Sequence, residues 1–298
     1  MDNVLTLVSA SPNGLSVESV AQTGKALNRL GATTYEPIWL APSQACDIHF
    51  SNLSIEDAEQ AARDSLKSIP IDILAQSQQN RKKKLLIADM DSTIVQGETL
   101  DDVATLAGIG PQIADITARA MNGEIRFEDA LRERIAMLGG MDPTLFDQVA
   151  ADLTLNPGAE TLVRTMSAHG AYTALVSGGF RFFTARVAQW IGFDLDKGNE
   201  IEIINNHFSG EIIEPIVSKT TKQETLEAIV KKRKIDMAET LAVGDGANDI
   251  PMLQTAGLGV AYYAKPIVTS QVRAQVAHSD LTTLLYYQGY KKSGFVSN

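Results

Sequence analysis

Cysteine is almost missing from the 298 residues: Cys46 stands alone. A single thiol excludes an internal disulfide and any zinc site built on cysteines. It reads as a small, partly buried apolar side chain. The four histidines, His49, His169, His207 and His278, show no metal-ligand spacing and read as structural. No apolar run approaches the roughly 18 residues a membrane helix needs. The first segment, MDNVLTLVSASP, lacks the basic stretch that opens a secretory signal. Positive charge is also short, 26 Lys+Arg against 36 Asp+Glu for a net charge of −10. That balance argues against nucleic acid or an anionic membrane as the main partner and leaves acids free to surround a cation. A hydrophobic content of 44% suits a soluble globular chain of about two domains, expected in the cytoplasm.

Residues 1–80 read as a separate unit. The run Asn3–Ala10 suits a strand, Ser16–Leu30 a helix closed by Gly31, Thr33–Leu40 and Asp47–Ser51 two strands, and Ile71–Ala75 a last one. Ser54 and Asp57 open a second helix running to about Leu66. The order βαββαβ predicts a small α+β sheet with helices on one face, as in ferredoxin-like units. The polar, then basic stretch 76–84 marks the domain boundary, and Arg81-Lys82-Lys83-Lys84 reads as a solvated edge.

From Leu85 the pattern changes. LLIAD (85–89), YTALVSGG (172–179) and TLAVGDG (240–246) are apolar runs ending in polar or glycine-rich turns. Such strands predict a parallel sheet covered on both faces, in a doubly wound α/β domain. Ligands bind such folds at the carboxyl ends of the strands, so the three turns converge on one crevice. Roughly residues 97–156 read as a helical cap inserted after the first strand. Residues 199–217 read as a β-hairpin with Gly210 in or beside its turn.

The crevice would hold four features. Asp89 and Asp91 follow the first strand, where one carboxylate can attack an electrophile while the other passes a proton. Asp245 and Asp249, in Gly244–Asp249, would join Asp89 in a hard-oxygen cluster suited to Mg²⁺. Ser177-Gly178-Gly179 offers a hydroxyl and free N–H groups to an anion. A lysine on the helix near 218–230 would neutralise phosphate, with Lys219 and Lys222 competing for the role. The cluster 231–234 reads as basic charge complementing the end of that helix.

The motif order DxDST (89–93), SGG (177–179), Lys and GDGAND (244–249) resembles the haloacid dehalogenase-like phosphatases, and within them the bacterial phosphoserine phosphatase group. The resemblance covers about residues 79–298, including the tail 280–290, and residues 1–80 resemble the ACT-like domain some members carry. It implies Mg²⁺-dependent hydrolysis of O-phosphoserine, in the last step of serine biosynthesis. Asp89 would be the nucleophile that becomes aspartyl-phosphate and Asp91 the acid and base. Asp89, the backbone carbonyl of Asp91, and Asp245 would hold the metal. Ser177, Gly178, Lys222 and Asn248 would bind phosphate, with Lys222 favoured over Lys219 by the family's spacing and Asp249 in support. Glu98 would receive the substrate ammonium, Arg134 its carboxylate, and Met121 and Phe127 would close over it. The same motifs fit a phosphatase or phosphotransferase for another small phosphomonoester or acceptor, such as homoserine. The first unit would serve as a homodimer contact or an amino-acid effector site.

Overall fold

The strand Leu85–Ala88 has no exposed residue and lies at the middle of a seven-stranded sheet. The computed structural model describes residues 2–296 apart from Ser68, Asn122 and Gly123. The side chains of Met121, Phe127 and Lys219 also lie outside the description. In spatial order the strands are Ala274–Val276, Leu258–Tyr262, Thr240–Gly244, Leu85–Ala88, Tyr172–Phe180, Leu195–Ile204 and His207–Ile213. All neighbours are parallel except the last pair, which is an antiparallel hairpin. Alternate residues of the central strand enter different cores. Leu86 and Ala88 pack with Leu162 and Met166 of the helix Ala159–Ala168. Leu85 and Ile87 pack with Leu226 and Ile229 of the helix Lys219–Arg233. This two-sided burial is why the strand is continuously apolar.

Register aligns the strand ends. Ala88 pairs with Val243 on one side and Leu175 on the other. Asp89, Gly244-Asp245 and Val176-Ser177 therefore leave the sheet side by side.

Between Leu85–Ala88 and Tyr172–Phe180 come five helices, of which the first four, Thr99–Leu106, Gly110–Met121, Phe127–Ala136 and Thr144–Asp152, form the cap. Two antiparallel stalks carry this cap, joined by a bridge between Val95 and Leu155. Asn156 closes the stalk base, its Nδ2 donating to the carbonyls of Ser92, Thr93 and Val95 at 2.9–3.2 Å. The cap is seated on aromatic rings. Phe146 lies 4.8 Å from Phe180 and 4.6 Å from Phe208, centroid to centroid.

The first unit is a five-stranded antiparallel sheet, ordered Thr33–Thr34, Ala45–Ser51, Asn3–Ser9, Ile71–Ser77, with Ile38–Ala41 also paired to Ala45–Ser51. Helices Val17–Arg29 and Ile55–Ser65 cover one face. Ser16 and Ser54 cap them by accepting from the N–H of Ser19 and Asp57; each such cap is worth about 1 kcal/mol. The expected strand Thr33–Leu40 is broken into two. Pro37 lies in the break and has no N–H to give to the ladder.

Two further expectations need correction. Arg81–Lys84 is not a solvated edge. The Arg81 side chain is 10% exposed and makes a two-pronged ion pair with Asp47, at 2.7 and 2.8 Å. It also donates to the carbonyls of Tyr286 and Tyr287. Lys83 is buried and donates to the Ala238 carbonyl, and burial pulls its ammonium down to about 8. Only Lys82 and Lys84 are exposed. The linker crosses an interface, because the uncovered face of the first sheet packs its Val8, Ala45 and Leu74 into the core that holds Leu281 and Leu284. Nor does Gly210 form the hairpin turn. Asn205 and Asn206, both left-handed at φ 49° and 60°, do so. Gly210 lies within the second strand, where a Cβ would crowd the Ala136 carbonyl and Gly139 Cα at 3.3 Å. Its glycine lets the cap approach the hairpin.

Cys46 is fully buried, and burial pushes its thiol up to about 12. Among the described residues no helix is long and apolar enough to cross a membrane.

Candidate active site

At the centre is Lys222. It is 1% exposed, with Nζ 2.7 Å from Asp89 Oδ2 and 2.6 Å from Asp249 Oδ1. Burial opposes its charge, but the two carboxylates outweigh burial and raise its pKa. The other Asp249 oxygen accepts the Gly246 N–H at 3.0 Å. Gly244 must be glycine because a Cβ would overlap the Asp249 carboxyl.

Asp89 Oδ1 accepts the N–H of Met90 at 2.7 Å, which fixes the side chain at the strand end. Asp91 is held at both oxygens: Thr99 N–H donates to Oδ1 at 2.9 Å and Ser177 Oγ to Oδ2 at 3.0 Å. Burial raises its pKa, and the Asp89 charge adds to that. The loop after Asp91 turns through Ser92 at φ 54°, whose hydroxyl donates to Glu98 Oε1 at 2.8 Å.

One ligand atom from each of Asp89, Asp245 and Asp249 lies within 4.8 Å of the others. Thr93 Oγ1 donates to Asp245 Oδ1 at 3.2 Å. Burial, with Asp89 nearby, lifts Asp245 to about 6. Three buried carboxylates facing Lys222, with Lys265 acting on Asp245 from the cavity lining, still leave uncompensated negative charge. A divalent cation with oxygen ligands would cancel it, so this donor set fits a hard metal ion.

A cavity of about 140 Å³ opens from this cluster toward the cap. Asp89, Asp91, Asp245, Ser177, Gly178 and Asn248 line its floor, and Glu98 and Arg134 line its cap side. Burial, reinforced by Asp91, lifts Glu98 to about 7. Arg134 Nε donates to the Ala130 carbonyl at 3.3 Å, and burial opposes its charge while Asp101 and Glu98 favour it. A larger cavity of about 870 Å³ lies between the hairpin and the helix Lys219–Arg233, away from these groups.

The expected residues therefore converge on one place, Asp249 nearer the centre than its supporting role implied. The side chains of Met121, Phe127 and Lys219 fall outside the described residues, so those expectations and the rivalry of Lys219 with Lys222 carry no structural account here. Four contributors were missed. Lys265 lines the cavity at the end of the strand Leu258–Tyr262, an apolar run (258–262) that offers the same signal as the other three strand ends. Asn199 Nδ2 donates to the Gly178 carbonyl and its Oδ1 accepts from the Val217 N–H, both at 2.7 Å. It ties the serine–glycine turn to the approach of the Lys222 helix. Asn156 and Thr99 complete the group. Nothing in the local pattern marks an asparagine or threonine that bonds across the fold.

Fold and site together define an α/β protein with a cap over an acidic, cation-competent crevice. The haloacid dehalogenase-like hydrolase family model matches residues 86–254, and the chain belongs to that family. It is 33% identical over 288 residues to a phosphoserine phosphatase of Streptomyces coelicolor, covering 95% of this chain and 70% of that one. It is 40% identical over 205 residues to a phosphoserine phosphatase of Lactococcus lactis, covering 69% of this chain and 95% of the relative. A probable phosphoserine phosphatase of Vibrio cholerae, solved unliganded, superposes with a TM-score of 0.79 at 28% identity, covering 98% of this chain and 88% of that one.

Proposed function

We propose that the protein hydrolyses O-phosphoserine to serine and phosphate. The observation that carries this is the pairing of Glu98 and Arg134 over one small cavity whose floor is Asp89, Ser177 and Asn248. Phosphoserine bears a phosphate, an ammonium and a carboxylate. The floor suits the first, Glu98 the second and Arg134 the third. The relatives named phosphoserine phosphatase support the same reading.

Asp89, held in line by Met90 N–H and Lys222, attacks phosphorus and becomes the aspartyl-phosphate. Asp91, whose pKa burial raises, protonates the departing seryl oxygen and then takes a proton from water. Ser177, the Gly178 turn, Asn248 and Lys222 take the phosphoryl oxygens, and Asp249 keeps Lys222 aimed at Asp89. Mg²⁺, held by Asp89, the Asp91 carbonyl and Asp245, would supply charge neutralisation on the phosphoryl group. Met121 and Phe127 complete the reading as apolar cap groups. Residues 81–298 would carry the chemistry. Residues 1–80 would be an ACT-like unit serving a homodimer contact or an amino-acid effector, in a cytoplasmic enzyme.

The test is phosphate release from a panel of phosphomonoesters with Mg²⁺ and with EDTA. Phosphoserine should lead phosphothreonine, phosphoethanolamine, sugar phosphates and p-nitrophenyl phosphate, and EDTA should abolish release. Another winner, or activity indifferent to metal, would overturn the reading.

A further inference from the structure

Three buried polar side-chain atoms among the described residues have no hydrogen-bond partner, and Thr99 Oγ1 is the one on a residue lining the site cavity. Thr99 is 1% exposed. Its N–H is committed to Asp91 Oδ1 and Ser177 Oγ to Asp91 Oδ2, while the Thr99 hydroxyl lies near enough to favour the Asp91 charge yet makes no hydrogen bond of its own. The hydroxyl does not cap its helix either, since Glu98 occupies the N-cap position. Native interiors rarely leave such a group orphaned without a ligand or water to meet it.

Gly179 keeps the space beside these oxygens free of a side chain. The point where it lacks a Cβ is 2.8 Å from Asp91 Oδ2, 3.1 Å from Ser177 Oγ and 3.5 Å from Thr99 Oγ1. A side chain at this position would crowd the first two oxygens and touch the third. Asp91, Thr99, Ser177 and Gly179 all line the cavity that Asp89 also lines.

We propose that Thr99 is a catalytic residue, its hydroxyl hydrogen-bonding the oxygen cut from phosphorus in the first half-reaction and the attacking water in the second. This rests on the Asp89-nucleophile reading given above. In the first half, an Asp89 oxygen bonds to phosphorus and the phosphorus–oxygen ester bond breaks. The departing oxygen takes the Asp91 proton, and Thr99 O–H donates to its remaining lone pair as charge builds. In the second half, water oxygen bonds to phosphorus and the Asp89–phosphorus bond breaks. One water proton goes to Asp91, and Thr99 Oγ1 accepts the hydrogen bond of the other. A hydroxyl serves both halves because it donates and accepts. A valine of the same shape does neither.

The test uses the full-length chain with Mg²⁺, as wild type, Thr99→Val and Thr99→Ser, assayed on O-phosphoserine and p-nitrophenyl phosphate with thermal melts alongside. Thr99→Val should lower kcat on phosphoserine about 10- to 100-fold, with KM within about threefold and the melt unchanged. Thr99→Ser should restore kcat to within about threefold. p-Nitrophenolate leaves without needing a proton, so Thr99→Val should lose less on that ester, and rapid quench should trap more aspartyl-phosphate. A Thr99→Val kcat within twofold of wild type overturns the proposal, and so does a serine variant as impaired as the valine one. A wild-type enzyme that turns over only p-nitrophenyl phosphate would remove the substrate reading, while the valine–serine comparison on that ester still decides the role of Thr99.

Discussion

Asp249 Oδ1 stands 2.6 Å from Lys222 Nζ, with the two side chains 0% and 1% exposed. The pair comes from residues 27 apart, and its purpose is visible in the third member, Asp89, 2.7 Å from the same ammonium. Asp249 fixes a cation against the nucleophile, while its other oxygen accepts the Gly246 N–H beside the candidate metal cluster. Asp249→Asn keeps the shape and a polar contact while removing the charge, and should lower kcat about 10²-fold. Asp89→Asn should abolish turnover in a chain that still folds. Steady-state phosphate release with circular dichroism checks both; turnover by the Asp89 variant would remove it as nucleophile.

Arg134 lines the cavity, whereas Arg132, two residues away, is paired with Glu214 at 2.5 Å. Arg134→Ala should cut kcat/KM on phosphoserine by about 10- to 100-fold, the loss of one charged hydrogen-bonded contact. Use of phosphoethanolamine, which lacks the carboxylate, should change little. An equal loss on both substrates would move Arg134 out of the substrate site.

The acidic cluster links stability to pH and metal. Burial lifts Asp245 to about 6 and Glu98 to about 7, above the roughly 4 of unfolded carboxylates. Between about pH 4 and 7 the folded chain therefore holds protons that the unfolded chain has released. Stability of the metal-free protein should fall as pH rises through that window. A bound cation offsets that cost by stabilising the ionised carboxylates, so Mg²⁺ should raise the melting temperature more at pH 7.5 than at pH 5. Melts with Mg²⁺ and with EDTA at both values decide it; equal Mg²⁺ shifts would argue against metal binding at this cluster.

The Arg81–Asp47 pair joins the two halves of the chain in a buried setting, with side chains 10% and 2% exposed. Removing one partner strands the other charge. Arg81→Ala should therefore cost about 3–5 kcal/mol in urea unfolding. The folded variant should keep its phosphatase kinetics, because Arg81 lies outside the cavity. A fragment beginning near residue 79 would lose this pair and also uncover the apolar face that receives Val8 and Leu74. It should melt well below the full chain.

Asp89, Asp91, Ser177, Asp245 and Asp249 were legible in the chain because each follows an apolar run whose length and flanking glycines mark a parallel strand end. A local pattern suffices where one strand dictates where its own last residue points. Most elements of the small first unit, though not the break at Pro37, and the cap helices were legible for the same reason, since turns, caps and periodicity act over a few residues. Glu98, Arg134 and the choice of Lys222 needed the family resemblance, as helix positions alone do not say which residue faces a cleft.

Only the tertiary structure decided how those segments meet. Strand register brings Ala88 beside Val243 and Leu175, and so makes one crevice of three loops. Asn199, Asn156, Thr99 and Lys265 act through contacts across the fold, and residues of these types occur in any turn or helix start. Arg81–Lys84 was misread for the same physical reason. A run of charges says nothing about burial until a partner such as Asp47, 34 positions away in sequence, is folded against it.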